Sequence, residues 1–468
     1  MNLDKEFPVI RKPWKKGQST VAMVFPNLYR GGAYCFGQLV FYNLINNLEG
    51  WRCERRFLDN YNLGGFDLIG FTFQYEPDYF NFLKIMKQNK IILDKTKRQE
   101  ILFAGGPCVT ANPETLAANI DFFLLADAEN TLVHVLAAYE ETIGKGKTTF
   151  LEAIAHMQGV YVPGISRSQT YGTVVLDEAS HPLFQPLPLV PSKDLAFGNA
   201  FMLEIERSCP YHCSFCSIPR MYSKFQCRSM ERLYEIVEQG TRLNRRKKVV
   251  IYSPSFTHPQ RKELLQFLLD KGLEFSVPSL RVEYVTEDLF PLIKAGGQRT
   301  LTIAPECNEA LRYSIGKKVN DEVFFAFLKN AQAHSFSTVK LYLLVGLPGQ
   351  TERDLHEMVQ FVQTARSLFR KQVYLSINPF VPKPRLPFAG HVFDKKTIFH
   401  QLKYLQRELR GFRVKTADIK NSYLEWRLAH ATSFTAPKKR KAPQQSGAER
   451  SLLAATTVQR RLNDMQSL

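Results

Sequence analysis

Three cysteines within one short segment are the residues of this sequence best suited to chemistry. Cys209, Cys213 and Cys216 follow the apolar residues 201–205 with the spacing Cys-x3-Cys-x2-Cys. Thiolates are the ligands by which proteins hold iron–sulfur clusters. Three of them can bind three irons of a cubic [4Fe–4S] cluster and leave the fourth iron open. The spacing therefore predicts a cluster that binds a further ligand at its open iron.

Two other interpretations of these cysteines are weaker. A buried thiol is the usual state of a single cysteine, but three thiols beside Pro210 and aromatic residues make a poor core pattern. Zinc could use Cys209, His212, Cys213 and Cys216 as a Cys3His site. However, the adjacent His212 and Cys213 are badly placed to point at one tetrahedral ion, and no second Cys/His pair follows at zinc-finger spacing.

Short apolar runs alternate with helical patterns before the cysteines, in residues 1–165, which predicts a parallel sheet with crossover helices. Helices are predicted at 36–47 and 79–88. The predicted strands are 20–26, 51–58, 66–73, 101–104 and 120–125. Small or acidic residues stand at or just beyond three of the strand ends: Thr72, Gly105, Gly106, Asp127 and Glu129. Ligands of open α/β sheets bind at that edge; the alternative is that the glycines are purely structural.

The rest of the chain divides by composition. The Pro-rich residues 166–198 predict a linker. Residues 199–390 repeat the strand–helix alternation six times, which predicts a partial (β/α)6 barrel with its site at the carboxyl ends of the strands. A mainly helical region is expected at 391–435, and a basic, disordered tail at 436–468.

The composition restricts the partners. The 468 residues carry a formal net charge of +18, which permits binding to RNA, acidic proteins or other anions; basic chain ends on a solubilising surface are the alternative. The sequence contains neither a membrane-length apolar run nor a signal-peptide pattern. We therefore expect a cytoplasmic protein without membrane contact.

Several motifs together resemble those of a known family. VAMVFPNLYRGGAYCFG, ILFAGGPCVTANPETLA, the cysteine segment, TLTIAPECNEALR and KLYLLVGLPGQTERD are similar to segments of radical S-adenosylmethionine (radical SAM) enzymes that carry an N-terminal B12-binding domain. The resemblance implies an α/β chain: a Rossmann-like cobalamin-binding-type domain followed by a partial (β/α)6 radical SAM barrel. It also implies a [4Fe–4S] cluster, SAM and cobalamin as cofactors.

The resemblance assigns SAM contacts to the strand ends of the barrel. Ser253 and Pro254 stand where related enzymes place a Gly-Gly-Glu-like stretch that accepts the methionyl amino group. This chain departs from that pattern, so backbone carbonyls and Ser253 would have to serve. Glu306 could accept hydrogen bonds from ribose hydroxyls, or instead support a helix start. The resemblance places adenine contacts at a tight turn formed by Gly346, Pro348 and Gly349.

For cobalamin, the resemblance assigns the strand-end residues of the first domain: Thr72, Gly105, Gly106, Asp127 and Glu129. Classic carriers place Asp-x-His-x-x-Gly after the first strand, and the His ligates cobalt. The corresponding loop here, residues 27–37, contains no His. Cobalamin would therefore be held without a His below the cobalt; the rival prediction is a domain that kept the fold and lost the cofactor.

Three functions remain open at this point. The resemblance implies a cobalamin-dependent C-methyltransferase in which a 5′-deoxyadenosyl radical abstracts hydrogen from an unactivated carbon of a protein side chain or RNA. Flavodoxin or ferredoxin would supply the electron. The second is a radical SAM enzyme that does not methylate and whose first domain is free of cobalamin, such as a methylthiotransferase or a rearrangement enzyme. A methylthiotransferase would need a second cluster from Cys35, Cys53 and Cys108. The third is a non-catalytic protein whose cluster is structural or a sensor.

Overall fold

The computed structural model describes residues 6–10, 12, 15, 17–188, 195–222 and 224–434. These residues form two compact units, which alternate along the chain. The first takes its described residues from Met1–Val174, Phe184–Asn199 and Leu428–Ser467, and the second from Val175–Leu183 and Ala200–Arg427. The predicted linker at 166–198 is thus divided between the units, while the predicted tail at 436–468 lies outside the described residues.

The first unit is built on a six-stranded sheet with the order β2-β1-β3-β4-β5-β6. The pairs from β2 to β5 are parallel, and only β6 runs antiparallel. The strands are β1 Ser19–Phe25, β2 Trp51–Phe57, β3 Leu68–Thr72, β4 Ile101–Gly105, β5 Phe122–Leu124 and β6 Val160–Tyr161. All five predicted strands are present, and the antiparallel β6 is an addition to them.

Hydrophobicity explains the strand positions. Every residue of β1 is buried, as expected for a strand that is covered on both faces. The edge strand β2 alternates buried and partly exposed residues, as expected for a strand that is covered on one face. The α-helices of five or more residues are α1 Phe36–Asn47, α2 Asp78–Gln88, α3 Pro107–Ala111, α4 Glu129–Thr142 and α5 Lys147–Ile154. Both predicted helices are present, and α1 has the predicted bounds.

The second unit contains seven parallel strands. Three form one sheet and four another, and a parallel bridge between Leu280 and Ile303 links the two. The strands are β7 Ala200–Glu204, β8 Lys248–Tyr252, β9 Glu274–Ser276, β10 Thr300–Glu306, β11 Thr338–Val345, β12 Gln372–Pro379 and β13 Arg413–Thr416. The first six correspond to the predicted barrel strands.

β13 lies in the region that was predicted to be mainly helical. It pairs in parallel with β12 and extends the sheet by one strand. Its four residues, RVKT, are mostly polar and only partly buried or exposed, so the sequence carries no apolar run that would mark a strand. Two helices flank it, as expected for that region.

One continuous apolar core covers the outer face of the barrel sheet. Alternate strand residues, such as Leu301, Ile303, Leu341 and Leu375, are fully buried in a cluster shared with the helices. The α-helices of five or more residues are α6 Met230–Asn244, α7 Arg261–Asp270, α8 Leu289–Ala295, α9 Glu309–Ser314, α10 Asp321–Ala333, α11 Glu352–Leu368, α12 Lys395–Glu408 and α13 Ile419–Ala429. Since side chains of a strand alternate between its faces, the remaining residues point to the inner face.

Helix caps fix where several of these helices begin. Thr351 and Asp354 form a reciprocal capping box at α11, and Ser229 and Asp394 cap α6 and α12; each cap satisfies N–H groups that lack partners within the helix. Among the described residues, no helix is long and apolar enough to cross a membrane.

Candidate active site

The cysteine loop follows β7 at the carboxyl end of the barrel sheet. Cys213 is buried, and Cys209 and Cys216 are partly exposed. The Arg220 guanidinium donates to the carbonyls of Cys213 and Cys216 at 3.2 and 2.8 Å, and the Ser214 N–H donates to the Ile315 carbonyl at 2.8 Å. These contacts hold the loop through its backbone carbonyl and N–H groups and do not involve its sulfur atoms.

The three thiols lie close enough to influence one another. Burial raises the pKa of the Cys216 thiol to about 11, and the neighbouring Cys213 and Cys209 thiols contribute in the same direction. Burial also raises the pKa of Cys213, but Lys317 and Arg281 oppose the shift, and Arg281 hydrogen-bonds this thiol. Both cations would stabilise a thiolate at Cys213.

This donor set fits a cubane cluster. In the described part of the chain, no group of three or more His, Cys, Asp or Glu side chains is gathered so that it could hold a metal ion. A cubane differs from a single ion because each thiolate binds its own iron, so the three sulfur atoms need not meet at one point. Cys209, Cys213 and Cys216 would hold it, with Lys317 and Arg281 balancing negative charge.

A carboxylate that the sequence analysis missed lies beside this loop. Glu206 is 1% exposed, and its Oε1 accepts hydrogen bonds from the hydroxyls of Ser253 at 2.5 Å and Ser255 at 2.9 Å. Its Oε2 accepts from the Thr257 N–H at 3.0 Å. The loop after β8, which lacks the acidic residue expected there, thus obtains a carboxylate from the segment after β7.

Ser253 and Pro254 belong to this same loop. The Ser253 hydroxyl donates to Glu206 and accepts from the Phe256 N–H at 2.6 Å. Its hydrogen-bonding capacity is therefore largely used within the protein, and its contact with a SAM amino group stays a prediction. The negative charge of Glu206 is the better match for an ammonium group. In the sequence, the only indication that Glu206 belongs to the site is its position three residues before Cys209.

Glu306 ends β10 at the same edge of the sheet. It is 7% exposed and has a φ of +67°, a backbone conformation that costs energy for a residue with a Cβ and is enriched at functional sites. Lys317 Nζ lies 3.0 Å from its carboxylate and also donates to the Ala304 carbonyl. The ion pair fixes the carboxylate at the strand end, where a ribose contact was predicted.

The turn after β11 is shaped by close packing. Gly346 has a φ of +76°, and a Cβ there would come within 2.7 Å of Ile398, so only glycine fits. Its N–H donates to the side chains of Gln350 and Gln401 at 2.8 and 2.7 Å. Gly349 also has positive φ, and Pro348 lies between them. Adenine contacts at this turn stay a prediction.

In the first unit, Thr72, Gly105 and Gly106 lie together at the carboxyl ends of β3 and β4. Gly105 and Gly106 are partly exposed, so this edge is accessible. Gly106 has a φ of +99°, and a Cβ there would lie 2.7 Å from the Phe73 carbonyl oxygen. Thr72 accepts a hydrogen bond from the Gln74 side chain at 3.0 Å. The close approach of the Phe73 backbone is therefore sufficient to explain why residue 106 is a glycine.

Asp127 and Glu129 follow β5 and are both buried, at 3% and 7% exposure. Gly172 packs directly on the Asp127 carbonyl, where a Cβ would collide with it. The predicted cobalamin residues of the first unit thus offer an edge of the sheet that is bordered by glycines. None of their side chains is assigned as a ligand of cobalt. Their role as cobalamin contacts stays a prediction.

Two family models match the chain. "Radical SAM proteins, N-terminal" matches residues 59–163, and "Radical SAM superfamily" matches residues 203–362. An uncharacterised protein of Methanocaldococcus jannaschii is 31% identical over 418 residues, which are 87% of this chain and 88% of that protein. The ribosomal protein uS12 methylthiotransferase of Clostridium acetobutylicum is 25% identical, but over only 35% of this chain and 40% of that protein.

Solved structures share the fold. TsrM from Kitasatospora setae, a radical S-adenosylmethionine methyltransferase, was solved with tryptophan and a SAM analogue; it has a TM-score of 0.57 and 14% identity, covering 76% of this chain and 73% of TsrM. Its structure with cobalamin and a [4Fe–4S] cluster has a TM-score of 0.56 at 14% identity, covering 77% and 72%. The predicted two-domain fold class is confirmed, and the chain belongs to the radical SAM superfamily.

Proposed function

We propose that this radical SAM enzyme is a cobalamin-dependent methyltransferase that acts on an unactivated carbon. The observation that carries the proposal is a fold shared with a methyltransferase solved with both cobalamin and a [4Fe–4S] cluster, over 77% of the chain. The cysteine loop and two buried carboxylates at the carboxyl end of the barrel support it. An unactivated carbon cannot attack the SAM methyl group, so hydrogen abstraction has to precede methylation.

The chain's own residues position the reactants. When bound, the cluster supplies the electron for SAM cleavage, and cobalamin supplies a carrier for the methyl group. Arg220 holds the loop that presents the three cysteines. Glu206, buried and held by Ser253 and Ser255, offers a fixed negative charge to the ammonium group of SAM. Lys317 keeps Glu306 at the strand end, where it can accept hydrogen bonds from ribose.

A radical SAM enzyme without cobalamin is the second candidate. The packing of Gly106 favours it, because contact with the Phe73 backbone explains this glycine without a ligand. Its methylthiotransferase version would need Cys35, Cys53 and Cys108 as cluster ligands. All three are buried, and Cys53 lies inside strand β2, so these cysteines do not share one loop as Cys209, Cys213 and Cys216 do.

Anaerobic reconstitution of the full chain tests these candidates. The proposal expects about four irons per chain, retained cobalamin and 5′-deoxyadenosine formed from SAM with a flavodoxin or ferredoxin donor. Replacing Cys209, Cys213 and Cys216 together by Ala should abolish cluster and SAM cleavage, whereas Cys227→Ala, which removes a partly exposed thiol outside the triad, should retain both.

The outcomes separate the candidates. SAM cleavage by the triple variant would refute the cluster assignment. A cluster without retained cobalamin would favour the second candidate, and a reduced cluster whose spectrum SAM does not change would favour a structural or sensor role. Mass spectrometry of cellular protein and RNA, with and without the enzyme, should show one CH2 increment in the substrate class.

A further inference from the structure

One face of α12 carries basic and aromatic residues at helical spacing. The residues at positions i, i+3, i+4, i+7 and i+11 are Lys396, Phe399, His400, Lys403 and Arg407, so they form a single stripe along the helix. All five are exposed, whereas the opposite face of the helix is buried in the core of the barrel unit. We call these five residues the basic stripe.

The charge of α12 differs from that of other helices around the barrel. α12 contains four Lys and Arg residues and one carboxylate, Glu408, which pairs with Arg407 at 2.7 Å. Asp394, just before the helix, accepts hydrogen bonds from its first turn as the cap. In contrast, α6, α10 and α11 each contain more acidic than basic residues. The positive charge is therefore a local property of α12 and not a general feature of the barrel surface.

An exposed aromatic ring on the same face is an independent observation. Phe399 is 47% exposed, although phenylalanine is among the residues most often buried. The His400 ring lies 5.9 Å from the Phe399 ring in an edge-on contact, and Lys403 Nζ lies 5.6 Å from the centroid of the same ring. Arg407 Cζ lies 5.4 Å from the Tyr404 ring. The face thus presents rings and cations together.

Single-stranded nucleic acid is the partner whose chemistry matches both features. Lys and Arg side chains bind its phosphates, and aromatic side chains stack on its unpaired bases. An acidic protein surface would pair with the cations but would leave the Phe399 ring without a partner. From Lys396 to Arg407 the stripe extends about 17 Å, which corresponds to about five stacked nucleotides at 3.4 Å each.

α12 also lies beside the candidate active site. Gln401, on its buried face, accepts a hydrogen bond from the Gly346 N–H at 2.7 Å, and Ile398 packs against the same glycine. Gly346 follows β11 at the carboxyl end of the barrel strands, the end at which the cysteine loop follows β7. A nucleic-acid strand bound along the stripe therefore extends toward this end of the barrel.

We propose that the basic stripe is the docking surface for a single-stranded RNA substrate. The choice of RNA over DNA rests on the proposed function, whose open substrate classes are protein side chains and RNA. Lys396, Lys403 and Arg407 contact phosphates, and Phe399 stacks on one base. A nucleotide next to those bound along the stripe then reaches the carboxyl end of the barrel.

RNA binding by the reconstituted full chain, without SAM, tests the proposal. Fluorescence anisotropy of a labelled single-stranded RNA of about 12 nucleotides gives the dissociation constant. Phe399→Leu removes the ring but keeps an apolar side chain, and it should weaken RNA binding about tenfold. Phe399→Trp keeps a ring and should bind RNA like the parent. Basic residues elsewhere contribute equally to the parent and the variants, so the differences report on the stripe.

A charge variant measures the phosphate contacts. Lys403→Gln should weaken RNA binding and reduce the slope of log affinity against log salt concentration by about 0.7, the contribution of one phosphate contact on a single strand. Lys329→Gln is the matched control, because Lys329 is an exposed lysine of α10, and it should leave both the affinity and the slope unchanged.

Equal RNA affinity in the parent, Phe399→Leu and Lys403→Gln would overturn the proposal. Tighter binding of DNA with the same sequence would also overturn it, as would displacement of the RNA by polyglutamate of equal charge, which would indicate an acidic protein partner. The binding measurement requires neither cobalamin nor SAM cleavage. Failure to retain cobalamin or to methylate would therefore refute the proposed function and leave these results unchanged.

Discussion

Replacement of Glu206 by Gln is the sharpest test of how the site is assembled. The carboxylate is buried and receives hydrogen bonds from Ser253, Ser255 and Thr257. Hydrogen bonds to a charged group contribute about 1.5–3 kcal/mol each, against about 0.5–1.5 for neutral pairs. Glutamine keeps one acceptor oxygen but presents an N–H2 group to the donors at the other position.

The expected loss follows from this count. Three charge-assisted bonds, together about 4.5–9 kcal/mol, become at most two neutral ones of together about 1–3 kcal/mol, so the free energy of unfolding should fall by about 3–6 kcal/mol. The variant should also bind SAM more weakly, because its ammonium group loses a negative partner. Urea unfolding measures the first effect, and equilibrium binding of SAM to the reconstituted protein measures the second.

A matched variant separates stability from SAM binding. Ser255→Ala removes one donor to Glu206 but leaves the charge, so it should cost about 1.5–3 kcal/mol and leave SAM affinity nearly unchanged. The reasoning would be refuted if Glu206→Gln bound SAM as tightly as the parent, or if Ser255→Ala weakened SAM binding as much as Glu206→Gln.

Three further changes test the surrounding structure. Burial raises the pKa of Asp78 to about 7, so the folded state holds the proton that the unfolded state loses; stability should fall by roughly 4 kcal/mol as pH rises from about 4 to about 7. Urea unfolding should show that Asp78→Asn abolishes this slope. Gly106→Ala should destabilise the chain more than Gly65→Ala in thermal unfolding, because both have positive φ but only Gly106 would place a Cβ against backbone. Arg228→Met should cost about 3–5 kcal/mol in urea unfolding, since it leaves a buried glutamate without this partner, whereas the exposed Arg353→Met should cost almost nothing.

Most of the helices and strands could be predicted from the sequence, because each of them forms from residues that are adjacent in the chain. The run STVAMVF forms a strand buried on both faces, and the helix at Phe36–Asn47 has its predicted bounds. β13 escaped prediction because RVKT has no apolar run; its pairing with β12 rather than its composition makes it a strand.

The candidate site was predictable only in part. The three cysteines share one loop, so their spacing alone indicated a cluster. Glu206 lies 47 residues from Ser253 in the chain, and nothing local connects them; only the parallel pairing of β7 with β8 brings their strand ends together. In the same way, the ligand contact predicted for Gly106 stays a prediction, and only the structure shows that the Phe73 backbone requires a glycine at this position.

The sequence by itself determined the cysteine triad, the strand–helix alternation and the family, since these reside in short motifs and periodicities. Only the tertiary structure decided which carboxylate serves the loop after β8, and which residues share the inner face of the barrel. Strand register carries that information: Thr302, Lys340, Tyr374 and Arg413 are separated by 38, 34 and 39 residues along the chain but lie side by side across four strands. Their proximity arises from backbone pairing between strands, and no local pattern encodes that pairing.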